Sequence, residues 1–209
     1  MSPSCEIAMP LRFYPARPTN WPNARNVLPA KSWACEPKIN GWRIVIDCEL
    51  RQVWNRHGQR FKYEADVLKV LSDYFFPVWS DSRFLDGEFL GLRTKTGKGS
   101  VVLFDSMDTN DETSYDIRKT RLRNHLPNYT LFDFAFSSSP RVVCLDEVPA
   151  DKVPEFSEKM VESNKRLGED FFEGWVFKDR GSYPWQRSAT ANSAKWIKDR
   201  FIVPRGDGL

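Results

Sequence analysis

Apolar and polar residues alternate with a period of two along much of the chain, which is the pattern of β-strands with one buried face. The clearest run is 42–48, directly after the sequence EPKING at 36–41. The sequence NRHG at 55–58 is typical of a turn and ends the short strand before it. The pattern predicts strands at 42–48, 51–55, 84–92, 101–105, 129–136, 142–145, 174–178 and 194–199.

Three other segments are predicted to be helices. Residues 65–75 and 154–167 place apolar side chains three and four positions apart, as amphipathic helices do. Residues 115–126 form a third candidate that is rich in arginine. Because the helices are interspersed without a regular βαβ order, the chain is predicted to be α+β with mostly antiparallel sheets.

The chain has the length of one domain with a small appendage, at 209 residues. Residues 1–30 are rich in proline and are predicted to be an extended lead-in, with the domain itself at 31–203. No run of 18 apolar residues and no signal-like N-terminus occur, so no membrane partner is expected. The four cysteines lack the spacing of zinc sites or disulfide frameworks, which predicts an intracellular protein, in the cytoplasm, the nucleoid or a virus-infected host cytoplasm.

The net charge of +3 is unevenly distributed. The densest basic stretch contains Arg51, Arg56, Arg60 and Lys62 with no acidic residue between them. Such a stretch is consistent with contact to a polyanion, and also with an ordinary solvated hairpin face.

The sequence EPKINGWR at 36–43 contains the most distinctive chemistry. Lys38 precedes Gly41, which allows the backbone to approach a ligand closely, and a predicted strand follows. A lysine in this setting is a candidate covalent nucleophile if burial or nearby cations lower its pKa from about 10.4. The alternative is a surface lysine before a turn.

Four further stretches supply acidic, aromatic and basic groups in a fixed order. Carboxylates suit Mg²⁺ or ribose hydroxyls, an aromatic ring stacks on a base, and cations neutralise phosphates. The set as a whole therefore indicates nucleotide chemistry. The stretches are LDGEF at 85–89, FD at 104–105, EGWVFK at 173–178 and KWIKDR at 195–200.

This ordered set resembles the nucleotidyltransferase, or adenylation, domain of ATP-dependent DNA ligases, in the superfamily that includes RNA ligases and mRNA capping enzymes. Residues 36–43 resemble its motif Glu-x-Lys-x-Asp-Gly-x-Arg, and residues 55–58 resemble Ser-Arg-Asn-Gly. Residues 85–88, 103–105, 173–178 and 196–200 resemble its Asp-Gly-Glu, aromatic, Glu-Gly-Val-Val-x-Lys and Trp-x-Lys-x-Lys motifs. The likeness implies an antiparallel-sheet-rich, ATP-grasp-like α+β fold.

The resemblance also implies an enzyme that seals nicks in double-stranded DNA with ATP and Mg²⁺. Lys38 would form a covalent lysyl-AMP, and the AMP would pass to the 5′-phosphate at the nick. Phe104 would stack on the adenine. Nucleotide binding is implied for Glu36, Lys38, Arg43, Arg56, Glu88, Phe104, Lys198 and Arg200. Metal binding is implied for Glu88 and Glu173, and Arg56, Arg60 and Lys62 are expected to contact the nucleic acid.

The sequence departs from the family pattern at two positions. Asn40 replaces the usual Asp, and Arg200 replaces the second lysine of the last motif. Since Leu209 follows that motif closely, no C-terminal oligonucleotide-binding (OB) barrel is expected. The chain is then either a fragment or a minimal ligase in which an accessory DNA-binding partner or residues 1–30 take the place of the barrel. The chain is expected to be a monomer. An RNA ligase and a nucleic-acid end-binding module with reduced catalysis are the alternatives.

Overall fold

A computed structural model describes residues 14–26, 28, 31–108, 113–126, 141–182, 185–186 and 193–201. The predicted strand at 129–136 lies outside the described residues. Within them, the helices are α1 (Glu64–Tyr74), α2 (Tyr115–His125) and α3 (Val153–Leu167). The strands are β1 (Tyr14–Pro15), β2 (Pro18–Asn20), β3 (Trp33–Ile39), β4 (Trp42–Asp47), β5 (Gln52–Asn55), β6 (Phe84–Phe89), β7 (Val101–Met107), β8 (Val142–Cys144), β9 (Phe172–Asp179), β10 (Trp185–Gln186) and β11 (Ser193–Arg200).

Two larger sheets organise these strands. One has the order β5-β4-β6-β7-β8 and the other β2-β11-β9-β3, while β1 and β10 form a small separate pair. All pairings between these strands are antiparallel except β7 with β8 and β2 with β11. The predicted α+β fold with mostly antiparallel sheets is confirmed.

Two hydrophobic clusters support the sheets, and the one packed on the four-stranded sheet also includes Val102 of β7 and Val143 of β8. Helix α1 packs Val67 and Leu71, with Phe75 next to it, against the five-stranded sheet. Helix α3 packs Met160 with Trp175 and Phe177 of β9 against the four-stranded sheet. Consecutive residues of a strand point to opposite faces, so the other face of the four-stranded sheet is available to line a site.

Strand β3 is not among the strands that the sequence pattern predicted, and Lys38 lies inside this seven-residue strand rather than in a segment that precedes β4. Pro37 interrupts the apolar alternation and has no N–H to donate. The sheet tolerates it because β3 is an edge strand, paired only with β9 among the described strands.

The described part of the proline-rich lead-in is built into the domain. Strand β2 pairs in parallel with β11, and Asp199 of β11 accepts backbone hydrogen bonds from Asn23 and Arg25 at 3.1 Å each. The carbonyl of Ala16 accepts a 2.7 Å hydrogen bond from Arg43 of β4. The lead-in therefore contacts both larger sheets.

Candidate active site

A cleft of about 360 Å³ opens between the two larger sheets. One wall comes from β3, β9 and β11 and the other from β4, β6 and β7, with further contributions from the lead-in and the turn after β5. All eight residues assigned to the nucleotide by the resemblance line it. They are Glu36, Lys38, Arg43, Arg56, Glu88, Phe104, Lys198 and Arg200.

Lys38 is held by a carboxylate within this cleft. Its Nζ forms an ion pair with Oε2 of Glu173, which the antiparallel pairing of β3 and β9 brings close to it. Arg200 of β11 lies 3.3 Å from the same oxygen and is more than half exposed. Glu173 thus bridges the candidate nucleophile and a cation of the last motif.

Glu88 stands on the opposite wall as a carboxylate with no hydrogen bond or ion pair among the described residues. Burial raises its pKa to about 7, and the nearby charges of Lys38 and Arg43 only partly offset that effect. Gly41 makes room for it, since a Cβ at position 41 would lie 2.5 Å from Cγ of Glu88. This close approach explains why glycine stands after Asn40.

Arg43 has protein partners rather than an open guanidinium. It donates to both carboxylate oxygens of the buried Asp86, at 2.9 and 2.5 Å, and to the carbonyl of Ala16. Its Cζ also lies 5.6 Å from the centre of the Phe104 ring. Arg43 therefore fixes β4 to β6 and the lead-in, and orients the aromatic ring, before any contact with a ligand.

Glu36 is the centre of a buried polar network behind the cleft. Lys119 and Tyr115 of α2 donate to its Oε1 at 2.6 Å each, and Lys178 of β9 lies 2.8 Å from its Oε2. Burial by itself would raise the pKa of Glu36, but the two ammonium groups outweigh it and lower the pKa to about 2. The Lys178 Nζ also lies 5.0 Å from the Phe104 ring centre, so this network borders the predicted base-binding side of the cleft.

Cations gather at the outer end of the cleft. Burial and the positive charges of Arg200, Lys38, Arg17 and Arg56 lower the pKa of Lys198. Positive groups so close together repel one another, and an anion placed among them would relieve that repulsion. The arrangement suits the phosphates of a nucleotide.

The basic stretch at 51–62 does not form one continuous surface. Arg56 lines the cleft, whereas Arg60 is paired with Glu64 at 2.5 Å. Arg51 lies over the Phe76 ring at 3.5 Å, and Lys62 lies 5.5 Å from the Tyr63 ring. Arg60 and Lys62, both expected to contact nucleic acid, are thus outside the cleft-lining set.

Several cleft residues carried no signal in the sequence. Arg17 lies in a segment without periodicity, and Arg93 follows a predicted strand as an ordinary loop cation. Lys119, behind the cleft, is one of several basic residues on a polar helix. Lys178 could have been found, because it ends the Glu-Gly-x-x-x-Lys stretch.

Solved structures share this architecture. The ligase domain of LigD from M. tuberculosis matches with a TM-score of 0.57 and 22% identity, covering 90% of this chain and 59% of that chain. The Chlorella virus DNA ligase-adenylate matches with a TM-score of 0.56 and 16% identity, covering 90% and 68%. A Lig E DNA ligase, whose structure is described in terms of DNA binding with a minimal scaffold, matches with a TM-score of 0.55 and 15% identity. The match covers 89% of this chain and 68% of that chain.

The chain has the fold of a DNA ligase adenylation domain. The fold implied by the sequence resemblance is therefore confirmed. The chain spans 59–68% of the lengths of these three ligases. No protein-family model and no curated protein sequence matches it.

Neither a clustered metal site nor a membrane-spanning helix occurs in the described part of the chain. Its residues contain no group of three or more His, Cys, Asp or Glu side chains arranged to hold a metal ion. None of the helices described has the length and apolar character needed to cross a bilayer.

Proposed function

We propose that this chain is the adenylation domain of an ATP-dependent DNA ligase, with Lys38 as the nucleophile that becomes lysyl-AMP. The observation that carries the proposal is the convergence of all eight motif residues on one cleft of the ligase fold. Another structure with this fold, a mycobacterial DNA ligase D at 21% identity, is described as complexed with ATP.

The chemistry would begin with attack of the neutral Lys38 amine on the α-phosphate of ATP. A P–N bond forms, the bond to the bridging oxygen breaks, and pyrophosphate leaves. Glu173 is the carboxylate in contact with Nζ and is placed to receive its proton. Lys198, Arg200, Arg56 and Arg17 would offset the negative charge that develops on the phosphates.

Glu88 fits the Mg²⁺ that such a reaction would use. Magnesium in nucleotide sites is held by one or two carboxylates together with substrate phosphates, and Glu88 is a carboxylate without a protein partner in the described part of the chain. When bound, the ion supplies positive charge to the phosphate oxygens. Glu173, the other predicted ligand, is already engaged by Lys38 and Arg200.

The AMP would then pass to the 5′-phosphate at a nick, and the 3′-hydroxyl would displace it to seal the strand. An RNA ligase is the alternative that Asn40 favours. The Asn40 amide nitrogen donates a 3.2 Å hydrogen bond to the carbonyl of Asp170, which the carboxylate of an aspartate could not do.

Incubation with α-labelled ATP and Mg²⁺, followed by nicked DNA or nicked RNA, tests the proposal. Wild-type protein should acquire a covalent label that is chased into DNA. Lys38→Ala and Lys38→Arg should both lose the label, because neither presents a neutral amine at pH 7. Lys69→Ala, which removes an exposed lysine on α1, is the matched control and should label normally.

Three results would contradict the proposal in different ways. A label that persists in Lys38→Ala would remove Lys38 as the nucleophile. A label chased only into RNA would establish the RNA ligase alternative. Wild-type protein that binds nicked DNA but never labels would be an end-binding module.

A further inference from the structure

The loop between β6 and β7 (residues 91–100) carries three exposed cations beside the cleft. They are Arg93, Lys95 and Lys98. Lys95 and Lys98 have no ion pair among the described residues, and Arg93 lines the cleft. Glu169 lies close enough to attract Lys95 electrostatically, but neither lysine forms an ion pair within the described residues, so the two ammonium groups add positive charge to the loop.

The loop is held in place by hydrogen bonds. Glu169, just after α3, accepts hydrogen bonds at 2.7 Å from the backbone N–H groups of Lys95 and Thr96, and a further one from the Thr96 hydroxyl. Burial would raise the pKa of Glu169, but these hydrogen bonds outweigh it and lower the pKa. The carboxylate that contacts the loop is therefore satisfied by backbone and hydroxyl donors, which leaves the lysine ammonium groups exposed.

A second set of contacts joins the loop to the reactive end of the cleft. The Thr94 hydroxyl donates to the carbonyl of Asn40 at 3.4 Å, two residues after Lys38. Leu90 and Ser100 continue the hairpin with a 3.0 Å backbone hydrogen bond. The cations are thus presented from a braced turn near the candidate nucleophile.

Trp42 adds an exposed aromatic surface to the same rim. It is 39% exposed, although tryptophans are highly buried on average. Its ring meets Phe61 and Tyr63 edge-on at 6.0 and 6.4 Å, and the Arg93 guanidinium lies 6.0 Å from it. The ring is therefore fixed by its edges and keeps exposed surface beside the loop.

We propose that the β6–β7 loop and Trp42 form the surface that receives the nicked duplex, with Lys95 and Lys98 on backbone phosphates and Trp42 against the base at the nick. The choice of a nicked duplex as the ligand rests on the proposed function, and a polynucleotide offers phosphates to the two lysines and flat bases to the tryptophan ring. It adds to Arg60 and Lys62, the two cations that the resemblance assigned to the nucleic acid, of which Arg60 is already paired with Glu64.

The two parts of the surface have separate signatures. Removing one phosphate contact should reduce the slope of log affinity against log salt by about 0.9, so Lys95→Ala/Lys98→Ala should reduce it by about 1.8, for nicked and intact duplex alike. Trp42→Ala should leave the slope unchanged and reduce the preference for nicked over intact duplex by roughly 5- to 150-fold, as expected when one stacked base is no longer held.

The experiment is fluorescence anisotropy of nicked and intact DNA duplexes over a range of salt, with Lys159→Ala/Lys165→Ala as the matched control. These two lysines lie on α3, which packs against the sheet face opposite the cleft, and each has an acidic neighbour within 3.7 Å. Trp42→Phe, which keeps an aromatic ring, should retain most of the nick preference and guards against a folding defect in Trp42→Ala.

The proposal is overturned if the Lys95→Ala/Lys98→Ala slope equals that of wild type, or if the α3 control lowers it equally. It is also overturned if wild-type protein binds an acidic polypeptide as tightly as duplex DNA at the same salt. Covalent labelling with ATP, measured without DNA in the same preparations, reports the proposed function separately. If wild-type protein binds DNA through this loop but never acquires a covalent AMP label, the ligase assignment is wrong and the DNA-binding surface remains supported.

Discussion

At the scale of single residues, two glutamates at the cleft differ in their contacts. Glu173 is neutralised by Lys38 and Arg200, whereas Glu88 has no partner among the described residues and a pKa of about 7. The motif pattern identified both as acidic positions of a nucleotide site. It could not distinguish them, because the partners of Glu173 come from other strands and the raised pKa of Glu88 depends on its burial.

The raised pKa of Glu88 predicts a specific dependence of stability on pH. An unfolded glutamate releases its proton near pH 4.5, but the folded one keeps it until about pH 7, so folding becomes less favourable as the pH rises between these values. Relative to Glu88→Gln, the wild-type protein should lose up to about 3 kcal/mol of unfolding free energy over this interval and nothing further above it.

Urea denaturation at pH 5, 6 and 8 measures this effect. Glu158→Gln, a change at an exposed position on α3, should follow the wild-type curve throughout. A difference between wild type and Glu88→Gln that stays constant from pH 5 to 8 would mean that Glu88 is charged over the whole range.

At the scale of elements, helix α2 shows what sequence patterns cannot supply. Its buried residues, Tyr115, Arg118, Lys119 and Leu122, have helical spacing, but two of the four are cations. They are buried because Asp105 of β7 pairs with Arg118 at 2.8 Å and Glu36 of β3 with Lys119 at 2.6 Å. The helix boundaries were predictable within one residue, whereas the buried face depends on carboxylates distant in sequence.

The pairing of β9 with β11 rests on one glycine. Gly174 has a φ of +132°, and a Cβ there would lie 2.1 Å from the carbonyl of Asp199. Gly174→Ala should lower the unfolding free energy by at least about 2 kcal/mol, through backbone strain and separation of the strands. Because Glu173 and Arg200 are adjacent to this contact, covalent labelling should fall as well.

Gly168→Ala is the matched control for that prediction. Gly168 also has a positive φ, +67°, but no atom of the described residues lies within 4 Å of the added Cβ, so only a backbone cost of about 1 kcal/mol is expected. Thermal denaturation of the two variants side by side compares a glycine in close contact with a neighbouring strand, Gly174, with a positive-φ glycine that has open space around it, Gly168. Equal losses of stability would show that the strand contact at Gly174 adds nothing.

At the scale of the whole molecule, buried ion pairs connect the two larger sheets, the lead-in and α2 around the cleft. Arg43 and Asp86 fix the five-stranded sheet to the lead-in, and Glu36 joins the four-stranded sheet to α2. The ordered motifs made the fold and most of the cleft predictable from sequence. The position of the lead-in could not be predicted from the sequence. Its contacts to Arg43 and Asp199 are made by backbone groups, which carry no sequence signal.

Glu36 should therefore control the acid stability of the entire domain. Its pKa is lowered to about 2, so the stability that it contributes is fully present above about pH 4.5 and is lost as the pH falls towards 2. At pH 7, Glu36→Gln should cost about 3–5 kcal/mol, because Lys119 and Lys178 remain buried without a counter-charge. Replacing all three by apolar residues, in Glu36→Leu/Lys119→Met/Lys178→Met, should cost less than that single change, since it leaves none of these three positions charged.

Urea denaturation from pH 7 down to pH 3.5 distinguishes these cases. The wild-type protein should lose about 1 kcal/mol over this interval through Glu36, while Glu36→Gln should lack that part of the pH dependence. Two results would show that the network does not act as a coupled set of charges. One is a Glu36→Gln variant as stable as wild type at pH 7, and the other is a triple variant, Glu36→Leu/Lys119→Met/Lys178→Met, that is less stable than Glu36→Gln. In that case the two sheets and α2 would be held together by their apolar cores alone.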